Sequence, residues 1–422
     1  MASELRHSWP VSALRTAFIA PFFIAGILSI IFTQVVGVLV FRHNPVQKQA
    51  AISLTKQHFL VLITFVSKIA SPCKLSVTYD ATSLPSSDSF RVDSLGNLVS
   101  SLSPNSVVIS NHQIYTDWLF IWFLTYSSHL ADSIFVILKD LSKVPILGYG
   151  MKNYNFMFLS RKWEKDKINL TNQLLAIDAN ARGMGPSNGV KHVASLNTSV
   201  AEEKIHHWPE GKVSKQIWPY VLVLFPEGTV PSVRTRGKSN EYTTFKKLPA
   251  MRHVLLPRVR GLFLVLRKLR NTVEVVYDVT IGYSGLVAGQ IGEEEYSLKR
   301  MYFLGYGPSK VNYHVRGFKI SDIPLGEETE DVDDASEEDM QKFEDWLLKV
   351  WYEKDELMDA FYKYGKFVDP KDPSNEAYTN NTVEADFKLR NFLEIVGPFS
   401  TVIASLLILR LLYFFLKKAL GY

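Results

Sequence analysis

A histidine and an aspartate five residues apart, His112 and Asp117, have the types and spacing to take a proton from a hydroxyl group. Histidine titrates near neutral pH, and a carboxylate that accepts one imidazole N–H fixes the tautomer and leaves the other nitrogen available as a base. The spacing alone is weak, because a histidine that satisfies a turn gives the same pattern. The pair is therefore a candidate general base, with a structural turn histidine as the alternative.

The candidate groups each follow a short apolar run that predicts a buried strand. His112 follows residues 107–109, Arg161 follows residues 158–159, and a Pro-Glu-Gly-Thr turn at 226–229 follows residues 221–225. In sheets flanked by helices, ligands bind where the ends of neighbouring strands converge. The sequence therefore predicts an α/β fold, with a central, mostly parallel sheet flanked by helices. It also predicts one site, built from His112, Asp117, Arg161 and Glu227.

These motifs, in this order, resemble those of the 1-acylglycerol-3-phosphate acyltransferases, a family of glycerolipid acyltransferases. They are His-x4-Asp at 112–117, Phe-Leu-x-Arg at 158–161, Phe-Pro-Glu-Gly-Thr at 225–229 and Val-Leu-Leu-Pro-Arg at 254–258. The resemblance extends from Lys74 to Phe367. Residues 346–362 also resemble the C-terminal part of the lysophosphatidylinositol and lysocardiolipin acyltransferases, which narrows the branch.

The resemblance implies that the protein transfers a fatty acyl group from acyl-CoA to the glycerol hydroxyl of a lysophospholipid, in phospholipid remodelling. Acyl-CoA would be a co-substrate, and no bound cofactor or metal is expected. Lysophosphatidylinositol is the expected acceptor and lysophosphatidic acid is the alternative. A catalytically inactive membrane scaffold that binds lipid is an alternative of another class, but the intact motifs favour the enzyme.

The expected roles follow from this chemistry. His112 would be the catalytic base and Asp117 would orient it. The guanidinium of Arg161 would bind the acceptor phosphate through two hydrogen bonds, and the family resemblance implies that Glu227 also holds the acceptor. Backbone amides, either in the turn after Glu227 or at the start of the helix after Asp117, are candidate oxyanion donors. The expected substrate-binding residues are Arg161, Glu227, Gly228, Thr229, Pro257 and Arg258.

Residues 234–270 carry eleven lysines or arginines against one acid, Glu241. A solvated basic face is one interpretation. Beside a membrane and a phosphate-bearing donor, the stretch also suits the phosphates of acyl-CoA or anionic membrane lipid, with Arg258 and Arg260 as the expected contacts. Nucleic acid is not an expected partner, because no recognition motif accompanies the charge. The sequence identifies no protein partner.

Two apolar segments predict transmembrane helices. Residues 16–41 lack charge and are long enough to cross a hydrocarbon core of about 30 Å. Residues 395–416 are apolar except for Arg410. Residues 58–70 form a shorter apolar run, which predicts an interfacial or core-facing helix rather than a third span.

Composition and the family resemblance together divide the chain into four regions. These are a membrane anchor with the interfacial helix at 1–72, an acyltransferase domain at 73–325 with an insertion at 180–218, an acidic linker and C-terminal helix at 326–370, and a linker with the C-terminal transmembrane helix at 371–422. The insertion is expected to be a mobile loop. The single cysteine, Cys73, excludes an internal disulfide and suits a reducing compartment. With two predicted spans, we expect a multi-pass protein of the endoplasmic reticulum membrane. Because acyl-CoA is a cytosolic solute, we expect its catalytic domain to be cytosolic.

Arg161→Lys tests the acceptor site. A lysine ammonium is a point charge and cannot reproduce the two parallel hydrogen bonds of a guanidinium to phosphate. We expect the apparent KM for the lysophospholipid to rise about tenfold, the loss of one charge-assisted hydrogen bond, and the apparent KM for acyl-CoA to stay nearly constant. Equal rises of both constants in initial-rate assays would remove Arg161 from the acceptor site.

Overall fold

The computed structural model describes residues 8–139, 147–159, 163–183, 217–327, 329, 335–375 and 381–420. Two long apolar helices, α1 (Trp9–Val40) and α2 (Pro45–Ala70), come first and pack as an antiparallel hairpin. The short link between them ends at Asn44, whose side chain accepts the Gln47 N–H and so caps α2. Pro45 suits the first turn of a helix, where its missing N–H costs no hydrogen bond.

In the described residues, the strands form an eight-stranded sheet and a separate two-stranded hairpin. The strands are β1 (Lys74–Tyr79), β2 (Phe90–Val92), β3 (Leu98–Ser100), β4 (Ser106–Ser110), β5 (Ile134–Lys139), β6 (Met157–Leu159), β7 (Val221–Leu224), β8 (Val275–Tyr283), β9 (Lys310–Lys319) and β10 (Thr382–Asp386). The large sheet has the order β10-β1-β9-β8-β4-β7-β5-β6, and β2 pairs with β3. Two of its pairings, β1 with β10 and β8 with β9, are antiparallel, and the others are parallel. The predicted mostly parallel sheet is confirmed.

Helices cover both faces of this sheet, as parallel strands with apolar side chains on both faces require. The α-helices described after the N-terminal hairpin are α3 (Asp117–Ser127), α4 (Leu147–Asn153), α5 (Trp163–Ala181), α6 (Val233–Lys246), α7 (Val259–Leu269), α8 (Gly292–Glu295), α9 (Glu337–Tyr364) and α10 (Ser400–Ala419). Of these, α10 contacts α1 rather than the sheet, and none of its residues is buried. One apolar core joins the sheet to α2 and α3, and includes Phe59 and Trp122. The other joins it to α5, α7 and α9, and includes Phe263 and Trp351.

Helix α2 is twice as long as the apolar run that predicted it, because a charged residue within it is buried and paired. The Lys56 ammonium donates to the Ile134 carbonyl at 2.9 Å and lies 3.8 Å from the centroid of the Phe135 ring. Three helical segments of the described chain, Trp9–Val40, Pro45–Ala70 and Phe392–Ala419, are long and apolar enough to cross a membrane. Of the most apolar window of α2, 72% is buried inside the protein, which agrees with the predicted core-facing helix. The apolar helices associate the protein with a membrane.

The predicted C-terminal helix is present, and the predicted linker that follows it contains a strand. Helix α9 begins at Glu337, where Ser336 caps it, close to its predicted start at Asp339. The predicted linker after it contains β10, an edge strand that pairs with β1, and its five residues have too little apolar alternation to be recognised in the sequence. Arg161 and most of the predicted insertion, residues 184–216, lie outside the described residues.

Candidate active site

The end of β4 brings a histidine and an aspartate into contact. The chain leaves β4 at Ser110 and turns sharply into α3, so that the His112 Nδ1 lies 2.8 Å from the Asp117 Oδ2. Asn111 fixes the start of this turn to β8, since its side chain donates to the Ile281 carbonyl at 3.0 Å and accepts the Ile281 N–H at 2.8 Å. The contact that the sequence predicted is present in the fold.

Asp117 is fully buried and is surrounded by donors. Its carboxylate accepts the backbone N–H groups of Gln113 and Ile114 at 2.5 and 3.0 Å, and the hydroxyl of Tyr283. A carboxylate with this set of donors acts as the acceptor for the imidazole, so His112 carries its proton on Nδ1 and its Nε2 is the basic nitrogen. The imidazole ring stacks on Phe225 with centroids 4.4 Å apart, and the side chain is 17% exposed. It can therefore meet a substrate from one side.

The end of β7 places a second carboxylate beside this pair. Glu227 is buried, its Oε1 accepts the His112 N–H at 3.3 Å, and its Oε2 has no hydrogen-bond partner among the residues that the structure describes. Burial raises the pKa of Glu227 well above its ordinary value, and the Asp117 charge raises it further. The amides of His112 and Leu255 and the charge of Lys354 oppose this rise in pKa.

The turn that carries Glu227 needs glycine at its last position. The Gly228 N–H donates to the Phe225 carbonyl at 2.9 Å, and Gly228 has a φ of 69°, in the left-handed region. A Cβ at this position would lie 3.1 Å from the Arg258 Nε, so glycine also lets the arginine approach. Because the Gly228 amide closes the turn, it is not available as the oxyanion donor, and the neighbouring Thr229 amide is the candidate at this turn.

The other predicted substrate-binding residues lie around this turn or outside the described chain. Arg258 is exposed, and its N–H donates to the Pro226 carbonyl at 2.8 Å. Pro257 is buried beside it, and Thr229 is partly buried. The structure therefore brings the turn and the basic residue to the His–Asp pair. The position of Arg161 is not described, so its role stays a prediction.

Two residues that the sequence analysis missed complete the surroundings of the His–Asp pair. Tyr283 reaches Asp117 from the end of β8, and Glu293 of α8 accepts the Tyr115 N–H at 2.9 Å. Burial raises the pKa of Glu293 to about 7, and the Asp117 charge adds to the rise, whereas the hydrogen bond from Tyr115 opposes it. Tyr283 could have been noticed as another polar residue at a strand end, but Glu293 had no signal in the sequence.

The chain matches two family models. The Acyltransferase model matches residues 90–284, and the Acyltransferase C-terminus model matches residues 302–385. The chain is also 40% identical over 394 residues to the 2-acyl-1-lysophosphatidylinositol acyltransferase of Saccharomyces cerevisiae, with 93% of each chain covered. It is 28% identical over 268 residues to lysocardiolipin acyltransferase 1 of Gallus gallus, with 63% of this chain and 56% of the relative covered. The lysophosphatidylinositol acyltransferase 10 of Caenorhabditis elegans is 28% identical over 263 residues, with 61% and 53% covered.

The fold, the site and these similarities define a membrane-associated acyltransferase, so the enzyme interpretation holds against the inactive scaffold. The chain belongs to the family of 1-acylglycerol-3-phosphate acyltransferases, in the branch of the lysophosphatidylinositol and lysocardiolipin acyltransferases, and it is a lysophospholipid acyltransferase. The resemblance that the motifs carried is thereby confirmed.

Glu293→Gln tests the link between α8 and the catalytic turn. The pKa of Glu293 is 4.5 in the unfolded chain and about 7 in the folded protein. The folded state therefore binds more protons in this window, and the contribution of Glu293 to stability falls as the pH rises from 4.5 to 7. Glutamine keeps an oxygen for the Tyr115 N–H without a charge. We expect the variant to unfold at the wild-type temperature below pH 4.5 and at a higher temperature above pH 7.

Thermal unfolding in detergent across this pH range measures the difference. Glu294→Gln, a change at the exposed neighbouring residue, is the control and should follow the wild type throughout. A Glu293→Gln protein that is less stable than the wild type above pH 7 would contradict this assignment of the pKa.

Proposed function

We propose that the enzyme transfers a fatty acyl group from acyl-CoA to the free glycerol hydroxyl of lysophosphatidylinositol, in phospholipid remodelling at the endoplasmic reticulum membrane. The observation that carries this proposal is the 2.8 Å contact between His112 and the buried Asp117, beside the unpaired oxygen of Glu227. The Saccharomyces cerevisiae relative supports the acceptor, because its name specifies 2-acyl-1-lysophosphatidylinositol.

In this mechanism His112 activates the acceptor. Its Nε2 takes the proton of the glycerol hydroxyl while the oxygen attacks the carbonyl carbon of the thioester. Asp117 stabilises the resulting imidazolium by accepting its Nδ1–H, without taking the proton itself. The tetrahedral intermediate then collapses, the carbon–sulfur bond breaks, and the imidazolium returns the proton to the thiolate. The products are a phospholipid and free coenzyme A.

Acyl transfer also needs donors for the oxyanion of the tetrahedral intermediate. The amides of Gln113 and Ile114 donate to Asp117, and the Tyr115 amide donates to Glu293. These amides and that of Gly228 are therefore occupied in the free enzyme. The Thr229 amide, which follows the Glu227 turn, is the donor that we assign to the oxyanion.

We assign the acceptor to the side of the site that carries Glu227. The Oε2 of Glu227 can accept a hydrogen bond from a hydroxyl of the acceptor, and Arg161 is the residue that we expect to bind its phosphate. An inositol phosphodiester carries one negative charge and several hydroxyls, whereas the phosphate monoester of lysophosphatidic acid carries up to two charges. A buried glutamate with an unpaired oxygen suits the hydroxyl-rich phosphodiester better than the dianion.

Acyl-CoA is a soluble cytosolic thioester, so we assign the catalytic domain to the cytosolic side of the membrane. The basic residues around the site suit its phosphates. Arg258 and Arg260 are both exposed at the start of α7, next to the Glu227 turn. Their positions agree with contacts to the nucleotide part of the donor.

His112→Ala should lower kcat by about 10²- to 10⁴-fold, because the base is lost. Asp117→Asn should also lose most activity, since an amide stabilises the wrong imidazole tautomer. Release of the coenzyme A thiol, followed over time with purified protein, measures both effects. His43→Ala, which changes an exposed histidine, is the control and should keep wild-type activity. Near-normal turnover by the folded His112→Ala protein would refute the mechanism.

A panel of lysophospholipids at matched concentrations identifies the acceptor. With one acyl-CoA, we expect a higher kcat/KM for lysophosphatidylinositol than for lysophosphatidic acid, and a higher rate with the 2-acyl-1-lyso isomer than with the 1-acyl-2-lyso isomer. Product identification by mass spectrometry accompanies the rate. A clear preference for lysophosphatidic acid would instead assign the enzyme to phosphatidic acid synthesis.

A further inference from the structure

The C-terminal helix α9 places two adjacent charged residues, Lys354 and Asp355, against the back of the site. Both side chains are buried, and neither has a part in the mechanism above. The Lys354 ammonium donates to the Val279 carbonyl at 2.8 Å and to the Thr280 hydroxyl at 3.1 Å, and it lies 2.6 Å from the Asp278 Oδ1. A helix from the C-terminal region is thus joined to β8, the strand that carries Tyr283 to the catalytic aspartate.

The charges around Lys354 are balanced. Arg316 of β9 pairs with Asp278 at 2.8 Å and with Glu353 at 2.5 Å, so two cations face two carboxylates. Burial acts to raise the pKa of Asp278, but Lys354 and Arg316 together bring it below its ordinary value. Asp278 is therefore held as a carboxylate by two neighbouring basic side chains.

Lys354 also acts on the carboxylate in the active site. Burial raises the pKa of Glu227 and Asp117 adds to the rise, whereas the charge of Lys354 opposes it. The pKa of Lys354 is itself lowered, chiefly by burial, against the opposing charges of Asp278 and Glu227. The pKa of Glu227 is thus subject to opposing charges, Asp117 of α3 and Lys354 of α9. The cation compensates part of the repulsion from Asp117.

Asp355 holds the chain segment that leads to Glu227. Its carboxylate accepts the N–H groups of three consecutive residues, Arg252 at 2.9 Å, His253 at 2.6 Å and Val254 at 3.1 Å. Further along this segment, the Arg258 N–H donates to the carbonyl of Pro226, the neighbour of Glu227, at 2.8 Å. One side chain of α9 therefore holds the segment that is hydrogen-bonded to the Glu227 turn.

A purely structural role explains these contacts less well. Replacing a buried ion pair by apolar residues is often neutral or stabilising, so a buried lysine and aspartate are not needed merely to attach a helix. Both residues act toward the Glu227 turn, Lys354 through its charge and Asp355 through the segment at 252–258, which is hydrogen-bonded to Pro226. The convergence on Glu227 is the observation that a structural role leaves unexplained.

We propose that Lys354 and Asp355 are positioning residues for the acceptor site, which hold Glu227 in place and in a compensated charge environment from the C-terminal helix. This inference rests on the proposed function, in which Glu227 binds the acceptor. It makes the C-terminal region part of the acyltransferase centre rather than an attached module.

The test uses the full-length enzyme in detergent with lipid. The single change Lys354→Met leaves Asp278 with one cation and is expected to destabilise the protein, so it is not informative alone. The double variant Lys354→Met with Asp278→Asn removes both charges and keeps the shapes similar. We expect it to unfold near the wild-type temperature, while its apparent KM for the lysophospholipid rises about tenfold or more, a loss typical of one charged hydrogen bond. The apparent KM for acyl-CoA should change little.

Lys349→Met, on the exposed side of the same helix, is the matched control and should keep both Michaelis constants. A double variant that folds and recovers wild-type kinetics would overturn the role of Lys354. Equal rises of both Michaelis constants would also overturn it, because they would indicate a general disturbance of the site.

Asp355→Asn gives an independent measurement. It tests the positioning role even if the double variant does not fold. One carboxylate oxygen becomes an NH₂ group that faces backbone donors, so the 252–255 segment should move away from Glu227. We expect the same selective rise in the acceptor KM, whereas Glu356→Asn, at the exposed neighbouring residue, should behave as the wild type. An Asp355→Asn enzyme with unchanged kinetics would refute the proposal.

The wild-type enzyme is assayed first with the lysophospholipid panel, and the variants are then compared on the acceptor it uses best. A different preferred acceptor would revise the proposed function and leave the selective effect measurable. If the wild type is active on lysophosphatidylinositol but the variants raise both Michaelis constants equally, the positioning role is refuted and the proposed function stands.

Discussion

A carboxylate that is removed from water needs donors to replace its hydration, and Asp117 collects four of them. Two are backbone amides of its own turn, one is the His112 imidazole and one is the Tyr283 hydroxyl from β8. The same hydrogen bonds that make the burial possible therefore define the tautomer of His112. They also fold the turn after β4 and join it to a neighbouring strand. Loss of this one carboxylate would disturb the base, the turn and the strand contact together.

The parallel pairing of β4 with β7 and β8 brings the rest of the site to this carboxylate. Parallel neighbours end at the same edge of the sheet, so the turn of Glu227 and the end of β8 meet the His112 turn. Glu227 is then buried close to Asp117, and two like charges in a site of low polarity disfavour ionisation. The charge of Lys354 and the amides of His112 and Leu255 oppose that effect. The pKa of Glu227 is thus set by groups from three other parts of the chain, the 112–117 turn, Leu255 and Lys354.

The membrane helices support the same site from the other side. Helix α2 packs on α3, where Phe59 stacks on Trp118 and Trp122. Because α3 begins with Asp117, the apolar hairpin of α1 and α2 braces the helix that carries the catalytic carboxylate.

The sequence by itself determined the local elements and the chemistry of the motifs. Apolar runs predicted β4, β6 and β7, and the types of His112, Asp117 and Glu227 predicted a base with a carboxylate partner, because side-chain chemistry and short-range periodicity are local properties. The two long apolar segments, which form α1 and the C-terminal helix, could also be predicted from the sequence. These features do not depend on which distant residue lies next to which.

Only the tertiary structure decided how those elements cooperate. Tyr283 lies 166 residues from Asp117, Glu293 lies 178 residues from Tyr115, and Asp355 lies 102 residues from His253, so no local pattern connects them. The length of α2 was also hidden, because Lys56 interrupts the apolar run and becomes compatible with burial only through the Ile134 carbonyl and the Phe135 ring. The energy of a buried polar or charged group depends on its partners in space, and the sequence does not show those partners.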